Sequence, residues 1–388
     1  MKKIISLILL LNLVLVGYPK SQYQKNSHVF YKVKKDNENY LIEFKFMDHI
    51  GKLNTMELNL NIDNANKDIK KFGLPKNFMK PYKVTPEVQD RRAKQLKDGL
   101  FKLSGNTVEI DYSAVVNYYA PVYCKPIANS LIQNLRSMGL DTRHHRIEIA
   151  MKFVQDIPYA IPETYEGKKY TGGAISPAEI LVEGYGDCDS KTMLFVGILS
   201  YMVNPDDIIF VGVPDHMLSA IKNEPVPGGV YFKYKGDKYY LAETAGPARY
   251  AFGEQGKDYK KNAKIHPLKF TRKLEVPPAK DKQTAKANNN KYYYIKIENL
   301  CNSNSTYLIR YKDIKGNWIF SDWQTLKKNS ISEIYTTQEP VFYIFANSGN
   351  IYWMGDEKFS YSGKDYEFKK VDIKSEQSGE YKMRLRCK

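Results

Sequence analysis

Cysteine and histidine are scarce in this sequence, with four cysteines and six histidines in 388 residues. Four cysteines are too few to indicate an oxidising compartment by themselves. No histidine–cysteine spacing matches a zinc site, and the adjacent His144 and His145 would point to different faces of a helix. We therefore predict no metal and no other cofactor.

Long apolar runs are absent after the first 20 residues, so no internal segment is a candidate membrane span. At the amino terminus, Lys2 and Lys3 precede an apolar run over residues 4–16 that is too short to span a bilayer well. With Gly17 as a candidate cleavage residue, this pattern predicts a signal peptide over residues 1–20. We expect a secreted or periplasmic bacterial protein without a membrane span after cleavage; a retained amino-terminal anchor is the alternative.

Acidic residues are outnumbered, and the net charge is +16. Residues 257–291 hold eleven Lys or Arg against three acidic residues, a net of +8 and half of the total. This stretch includes Pro277-Pro278 and an Asn-rich run over residues 285–290, a composition typical of a solvated linker. No nucleic-acid-binding motif accompanies the charge, so we predict no nucleic-acid partner and favour contact with an anionic surface, or solubility alone.

The most informative run is Gly-Tyr-Gly-Asp-Cys-Asp-Ser-Lys-Thr at residues 184–192. The apolar residues 193–203 that follow predict a helix buried on nearly every side. Gly186 permits a sharp turn and Asp187 is a good N-cap, which places Cys188 at the first helical position. Free backbone N–H groups and the helix dipole favour a thiolate there, so we expect a lowered thiol pKa and a place to hold an oxyanion.

Two further residues complete a candidate catalytic set. His216 opens an alternating, strand-like segment, and Glu243 closes another strand-like segment at residues 239–244. Adjacent ends of antiparallel strands can bring a base and its orienting acid together. Cysteine, histidine and carboxylate in this order suggest a nucleophile, its base and the group that orients the base. The structural alternatives are a core cysteine, a hydrogen-bonded histidine and a solvated carboxylate.

These residues resemble the transglutaminase-like superfamily, a branch of the papain-like cysteine enzymes. The resemblance rests on Gly186-Asp187-Cys188-Asp189, on His216 and on Glu243-Thr244, with residues 153–159 similar to a helix-ending segment of bacterial members. It covers residues 143–250. It implies an α+β core in which the cysteine helix packs on an antiparallel sheet, and peptidase, amidase or transamidase chemistry. It also allows for members that have lost activity.

The sequence departs from the family pattern at two places. Glu243 stands where an Asp is usual, which changes the distance from the backbone to the imidazole. Met217-Leu218 follows the histidine in place of a small residue and Trp. These departures bear on efficiency more than on fold.

The rest of the chain predicts β-rich flanks around this core. We place an N-terminal β-rich module at residues 21–118, the catalytic domain at 119–256, the basic linker at 257–291 and a C-terminal β-sandwich at 292–388. Alternation over residues 40–46 and 56–62 predicts a β-meander, and helices are expected at 86–100, 127–138 and 146–155. A capping box from Ser176 to Glu179 predicts a short helix that ends at Gly184. We favour a separate N-terminal module; an extension of the enzyme and a cover over the active site are the alternatives.

The remaining cysteines have separate roles. Cys301 and Cys387 could pair and fix the final strand. Cys124 has no predicted partner. It is either a buried thiol or a redox lock, a cysteine that forms a reversible disulfide with Cys188 and so blocks it.

We predict an exported cysteine enzyme that transfers or hydrolyses amide or peptide bonds through Cys188, His216 and Glu243. The alternative is an inactive transglutaminase-like binding protein at the cell surface or in the periplasm. The expected partners are a protein or peptide substrate and, through the linker and C-terminal domain, an anionic surface or a glycan. The second oxyanion donor stays open, with Gln155 and Tyr170 as candidates, as do the substrate, hydrolysis against cross-linking, and the oligomeric state.

Overall fold

A computed structural model describes residues 23–388, except 224, 227, 257–258, 260–262, 272–275, 280–292, 313–315, 333–334, 338, 375–379 and 388. The protein is α+β, with 27% helix and 37% strand and with antiparallel sheets. The predicted signal peptide lies outside the described residues.

Helices are concentrated in the first half of the chain. The described residues form α1 (Ile62–Lys71), α2 (Pro86–Asp98), α3 (Tyr112–Tyr119), α4 (Lys125–Ser137), α5 (Arg143–Asp156), α6 (Pro177–Glu183) and α7 (Cys188–Leu199). Each predicted helix is present, including α6, which Ser176 caps and which ends at Gly184 in the left-handed conformation. Among these described residues, no helix is long and apolar enough to cross a bilayer.

The N-terminal meander consists of three antiparallel strands, β1 (Phe30–Asp36), β2 (Asn39–Met47) and β3 (Leu53–Asn61). Its inward side chains have no separate core, because Phe44 and Phe46 contact Phe153 of α5 edge-on at 5.1 and 5.2 Å. They belong to the same buried cluster as the residues of α4 and α7. The meander is therefore an extension of the central unit, and the prediction of a separate module is corrected.

Short strands connect the helices. They are β4 (Leu74–Pro75), β5 (Phe101–Ser104), β6 (Thr107–Ile110), β7 (Tyr165–Glu166) and β8 (Lys169–Tyr170). β4, β8 and β7 form one small sheet, and β5 and β6 form a hairpin.

A five-stranded antiparallel sheet lies beside α7. Its strands are β9 (Ile208–Val213), β10 (His216–Lys222), β11 (Tyr231–Tyr234), β12 (Asp237–Ala242) and β13 (Lys264–Pro267), in the order β11-β12-β10-β9-β13. Lys235 and Gly236 both take positive φ angles in the tight β11–β12 turn, at 50° and 86°. Thr192 of α7 donates a hydrogen bond to the backbone carbonyl of Met217 at 3.2 Å, which fixes the helix against β10.

The range predicted as a linker is partly structured. β13 lies within residues 257–291 yet forms the edge strand beside β9. The carbonyls of Pro277 and Pro278 accept hydrogen bonds from the buried guanidinium of Arg146 at 2.6 and 3.2 Å. The linker is therefore shorter than predicted; the Asn-rich run and most of its basic residues lie outside the described residues.

The C-terminal region is a β-sandwich. Its strands are β14 (Tyr293–Asn299), β15 (Ser305–Lys312), β16 (Trp318–Phe320), β17 (Gln324–Leu326), β18 (Tyr335–Thr337), β19 (Val341–Ser348), β20 (Ile351–Trp353), β21 (Glu357–Tyr361), β22 (Lys364–Asp372) and β23 (Glu380–Leu385). A three-stranded sheet (β18-β14-β23) and a seven-stranded sheet share one apolar cluster between them. Cys301 and Cys387 form a disulfide with a Cα–Cα distance of 5.0 Å, which joins the end of β14 to the end of the chain.

Candidate active site

Cys188 is the first residue of α7. The Asp187 side chain caps the helix by accepting the backbone N–H of Ser190 at 3.0 Å, and the Ser190 hydroxyl also donates to the same carboxylate oxygen. That hydroxyl in turn accepts the backbone N–H of Ile175 at 2.9 Å, which holds the turn before the helix. The N–H groups of Cys188 and Asp189 are in the first helical turn and have no acceptor within the helix.

The Cys188 sulfur lies in a polar, mostly enclosed setting, and the residue is 7% exposed. Its thiol donates to Asp189 Oδ2 at 3.5 Å. Burial raises the pKa of the thiol far above its usual range, the charges of Asp189 and Asp187 raise it further, and a hydrogen bond from the backbone N–H of Met217 acts in the opposite direction. The expectation of a lowered pKa is therefore wrong, because burial and two carboxylates outweigh the helix amides.

His216 and Glu243 meet at one edge of the central sheet. His216 opens β10, and Glu243 directly follows β12, its antiparallel neighbour. Nε2 of the imidazole lies 2.8 Å from Oε2 of Glu243. The other carboxylate oxygen accepts the backbone N–H of Ala245 at 2.9 Å, which fixes the acid. Nε2 is therefore engaged by the hydrogen bond with Glu243, and Nδ1 is the ring nitrogen that remains for proton exchange.

The carboxylate of Glu243 is stabilised in its charged form. Burial alone would raise the pKa of Glu243, but the hydrogen bond and charge of His216 lower it. The amide that contacts the Cys188 sulfur belongs to Met217, the next residue after His216. The structure thus brings all three predicted residues to one region, with the longer Glu243 still within hydrogen-bond distance of the ring.

Two tyrosines that the sequence did not single out complete the surroundings. Tyr259 stacks on His216, with ring centres 5.4 Å apart, and its hydroxyl donates to Glu243. Tyr112, at the start of α3, donates to Asp189 Oδ1 at 2.5 Å. Tyr259 lies in the predicted linker and Tyr112 precedes the predicted catalytic domain, so no local pattern marked either residue.

The two candidates for a second oxyanion donor are elsewhere. The Gln155 amide nitrogen donates to the backbone carbonyls of Glu243 and Tyr250, at 2.7 and 2.9 Å. Gln155 therefore supports the backbone of the acid. Tyr170 lies in β8 against Tyr165 and Phe101. Neither side chain is placed to bind an oxyanion at Cys188.

A buried lysine braces the site from behind. Lys191 lies on α7, is fully buried and donates to the carbonyls of Gln155, Ile157 and Ala245, at 3.2, 2.7 and 2.5 Å. Burial lowers the pKa of its ammonium to about 7. The three carbonyl acceptors match the three N–H bonds of the protonated form, so Lys191 ties the cysteine helix to the segment that follows Glu243.

Ligand atoms of Asp187, Cys188 and Asp189 all lie within 4.8 Å of one another, a group that could hold a metal ion. Both carboxylates already take part in protein hydrogen bonds, Asp187 with Ser190 and Asp189 with Tyr112. Their arrangement is accounted for by the cap and by the tyrosine, and it carries no argument for a metal.

Cys124 is remote from the nucleophile. It is fully buried next to Gly197 on α7, nine residues along the helix from Cys188, a distance of roughly 13 Å. Of the two alternatives for Cys124, the redox lock is therefore excluded, and Cys124 is the buried thiol.

The site presents the parts required for covalent acyl transfer: a sulfur, an imidazole held by a carboxylate, and first-turn helix amides. No protein-family model, no curated protein and no solved structure matches this chain.

Proposed function

We propose that the protein is a transglutaminase-like cysteine enzyme, built on a papain-like core, that transfers or hydrolyses acyl groups of amide or peptide bonds. The observation that carries this proposal is the hydrogen bond of 2.8 Å between His216 Nε2 and Glu243 Oε2. The backbone N–H of the next residue, Met217, contacts the sulfur of Cys188 at the start of α7. A structural cysteine needs no oriented imidazole next to it, whereas a nucleophile does.

The reaction begins from a neutral thiol, because burial and two carboxylates raise the pKa of Cys188. Nδ1 of His216 accepts the thiol proton as the sulfur attacks the carbonyl carbon. Glu243 and the Tyr259 ring keep the imidazole in place while it becomes positively charged. The amides of Cys188 and Asp189 donate to the oxyanion of the tetrahedral intermediate.

The second half of the reaction reverses the proton transfer. The imidazolium gives its proton to the leaving amine, and the C–N bond breaks to leave a thioester on Cys188. Water or a second amine then attacks this thioester, with His216 as the base. The products are a free acid in hydrolysis and a new amide in transfer.

The alternative is a binding protein that keeps the site without its activity, and one observation favours it. A thiol pKa raised by burial and by Asp189 keeps the sulfur protonated at neutral pH. In this alternative the His216–Glu243 pair would be a structural ion pair that stabilises the edge of the sheet.

Alkylation with iodoacetamide distinguishes the two functions. In an enzyme, native Cys188 reacts at neutral pH at least about tenfold faster in wild type than in His216→Ala, because the imidazole accepts the thiol proton. Peptide mapping by mass spectrometry measures this rate, with buried Cys124 as the internal control. A rate that does not change on removal of His216 would leave the binding protein as the better account.

A mixture of peptides incubated with wild type and with Cys188→Ala tests the activity itself. Mass spectrometry should show new cleaved or cross-linked products in the wild-type sample alone. The mass change identifies the chemistry, since hydrolysis adds water and transamidation loses ammonia or an amine.

The proposed partners and location go with this activity. The outward face of the seven-stranded sheet is aromatic, with Trp323 edge-on to Phe345 and Tyr366 at 5.9 and 5.4 Å. Trp323 is 39% exposed, and such a surface supports glycan contact by stacking. An anionic partner for the basic segment, and export through the signal peptide, stay predictions.

A further inference from the structure

A large cavity lies apart from the catalytic residues, where the meander, the segment after Glu243 and the β-sandwich meet. Its volume is about 690 Å³, within the range of small-molecule sites. Cys188, His216 and Glu243 do not line it. A salt bridge of 2.8 Å between Lys296 of β14 and Glu254 joins the sandwich to the wall of the cavity.

The cavity walls carry unused hydrogen-bonding capacity. Over the part of the chain that the structure describes, three buried side-chain nitrogen or oxygen atoms have unused hydrogen-bonding capacity: His49 Nδ1, Gln255 Oε1 and Arg249 Nη1, whose contact is the ion pair with Asp156. All three residues line this one cavity. Buried polar atoms are nearly always satisfied in folded proteins, so three such atoms around one space indicate a polar occupant.

Each of the three atoms limits the chemistry of that occupant. His49 is 3% exposed, and its Nε2 lies 2.7 Å from His145 Nδ1. Since one proton is shared along that contact, His49 Nδ1 is left as either a donor or an acceptor. Burial and neighbouring charges lower the pKa of His49 well below its usual range, so the ring is neutral.

Arg249 requires a hydrogen-bond acceptor, and Gln255 Oε1 requires a donor. Nη1 of Arg249 lies 2.6 Å from Asp156 Oδ1, and this charged contact takes up at most one of its two N–H bonds. Its N–H bonds can therefore serve a second acceptor, for which a carboxylate is the best match. Gln255 Oε1 needs an N–H or O–H donor. Lys152, Lys296 and Lys382 add positive charge on the wall, against the acidic Asp48 and Glu254.

We propose that this cavity is a binding site for a small zwitterion of the amino-acid or dipeptide class. The carboxylate of the ligand lies against Arg249, its ammonium or amide N–H donates to Gln255 Oε1, and its apolar part packs against Val230 and Ile331. The site is separate from the acyl-transfer chemistry. It is connected to that chemistry by Gln155, whose side chain bonds both the carbonyl of Glu243 and that of Tyr250 on the cavity wall.

Calorimetric titration of the full chain with L-alanyl-L-alanine tests the proposal. The titration uses Cys188→Ala, so that turnover does not contribute and the result is independent of the proposed enzyme activity. We expect saturable binding of the dipeptide. Its C-terminal amide should bind at least about tenfold more weakly, because it lacks the charge that pairs with Arg249.

Gln255→Met removes the orphan acceptor at nearly constant volume and should weaken dipeptide binding about tenfold. Gln89→Met, at an exposed position on α2, is the matched control and should leave binding unchanged. His49→Phe removes the buried ring nitrogen that faces the cavity and should also weaken dipeptide binding. No binding up to about 10 mM dipeptide would show a water-filled cavity, and equal binding of the dipeptide and its amide would show that Arg249 does not hold a carboxylate; either result would overturn the proposal.

Discussion

At the scale of single residues, the charge around Cys188 is the feature that most affects its chemistry. The Cys188 thiol donates a hydrogen bond to Asp189 Oδ2 at 3.5 Å, and Asp187 caps the same turn. Both carboxylates oppose a thiolate, and burial raises the pKa of Asp187 itself to about 6, with Asp189 adding to the effect. The cysteine is therefore held in its thiol form until a base accepts the proton.

Removing the nearer charge should activate the sulfur. In Asp189→Asn, the thiol pKa falls because a neutral amide replaces the carboxylate, so the thiolate fraction at a given pH rises. We expect alkylation by iodoacetamide at pH 8 to be about tenfold faster, the effect of a one-unit fall in pKa. The measurement is the pH–rate profile of Cys188 labelling, which should move to lower pH.

Asp206→Asn, on the turn before β9, is the matched control and should leave the labelling profile unchanged. Slower labelling in Asp189→Asn would mean that Asp189 holds the sulfur in place more than it suppresses ionisation. The tyrosine partner is kept in the variant, since the amide oxygen of Asn can still accept the Tyr112 hydroxyl.

At the scale of elements, α7 is enclosed on all sides. Every residue from Ser190 to Leu199 is buried, so each side chain along the helix must match a neighbour. Gly197 lies against the π-helical turn Ala120–Cys124, where a Cβ would meet the Cys124 sulfur at 2.6 Å. This contact explains a glycine in the middle of a helix, where alanine would otherwise be favoured.

Gly197→Ala should destabilise the protein by about 1–2 kcal/mol, because the cost of overpacking exceeds the gain in helix propensity. Adding Cys124→Ala removes the clashing sulfur and should restore most of this loss. Denaturant unfolding of the two single variants and the double variant measures the coupling between the sites. Additive effects would show that the sulfur is not what excludes a side chain at Gly197.

The elements near the nucleophile were predictable because their signals are local. Ser176 and Asp187 are caps whose side chains accept N–H groups within three residues, and the apolar run fixes α7. The pairing of His216 with Glu243 also followed, since both residues lie at strand ends of one antiparallel sheet. The thiol pKa did not follow, because it depends on how deeply the turn is buried.

Contacts between distant segments were not predictable in the same way. Tyr259 reaches Glu243 from a stretch whose composition resembles a linker, and β13 joins the sheet from the same stretch. The meander and α5 share a core because one face of β2 packs against the helix. Alternation predicts that β2 has a buried face, but it does not predict which element covers that face. Residue types and periodicity specify elements, but they do not specify the partners of a surface.

At the scale of the whole molecule, Asp156 joins four segments of the chain. Its buried carboxylate accepts from the Asn26 amide at 3.1 Å and from the Met47 backbone N–H at 2.9 Å. It also pairs with His28 at 2.7 Å and Arg249 at 2.6 Å. The amino-terminal segment, the meander, α5 and the segment after Glu243 thus converge on one charge.

The charge of Asp156 should make the free energy of unfolding depend on pH in the acid range. Burial alone would raise the pKa of Asp156, but the His28 hydrogen bond and the Arg249 charge lower it to about 2. A lowered folded-state pKa stabilises the protein above the unfolded-state value near 4, and the effect is lost as pH falls towards 2. We expect Asp156→Asn to reduce the free energy of unfolding at neutral pH by about 2 kcal/mol or more.

Urea unfolding at a series of pH values checks this expectation. The difference between wild type and Asp156→Asn should be constant above about pH 5 and should narrow by about 2 kcal/mol as pH falls to 2. Asp98→Asn, at an exposed position at the end of α2, should show no such dependence. A difference that stays constant down to pH 2 would exclude the charge as its source.

The pairing of Cys301 with Cys387 determines what an oxidant can do to this protein. Two of the four sulfurs are consumed by that bond, and a third is enclosed behind Gly197. Cys188 therefore has no internal thiol with which to be trapped. Any disulfide that Cys188 forms in oxidising surroundings must join it to an outside thiol, and a mild reductant that reaches the turn should release it.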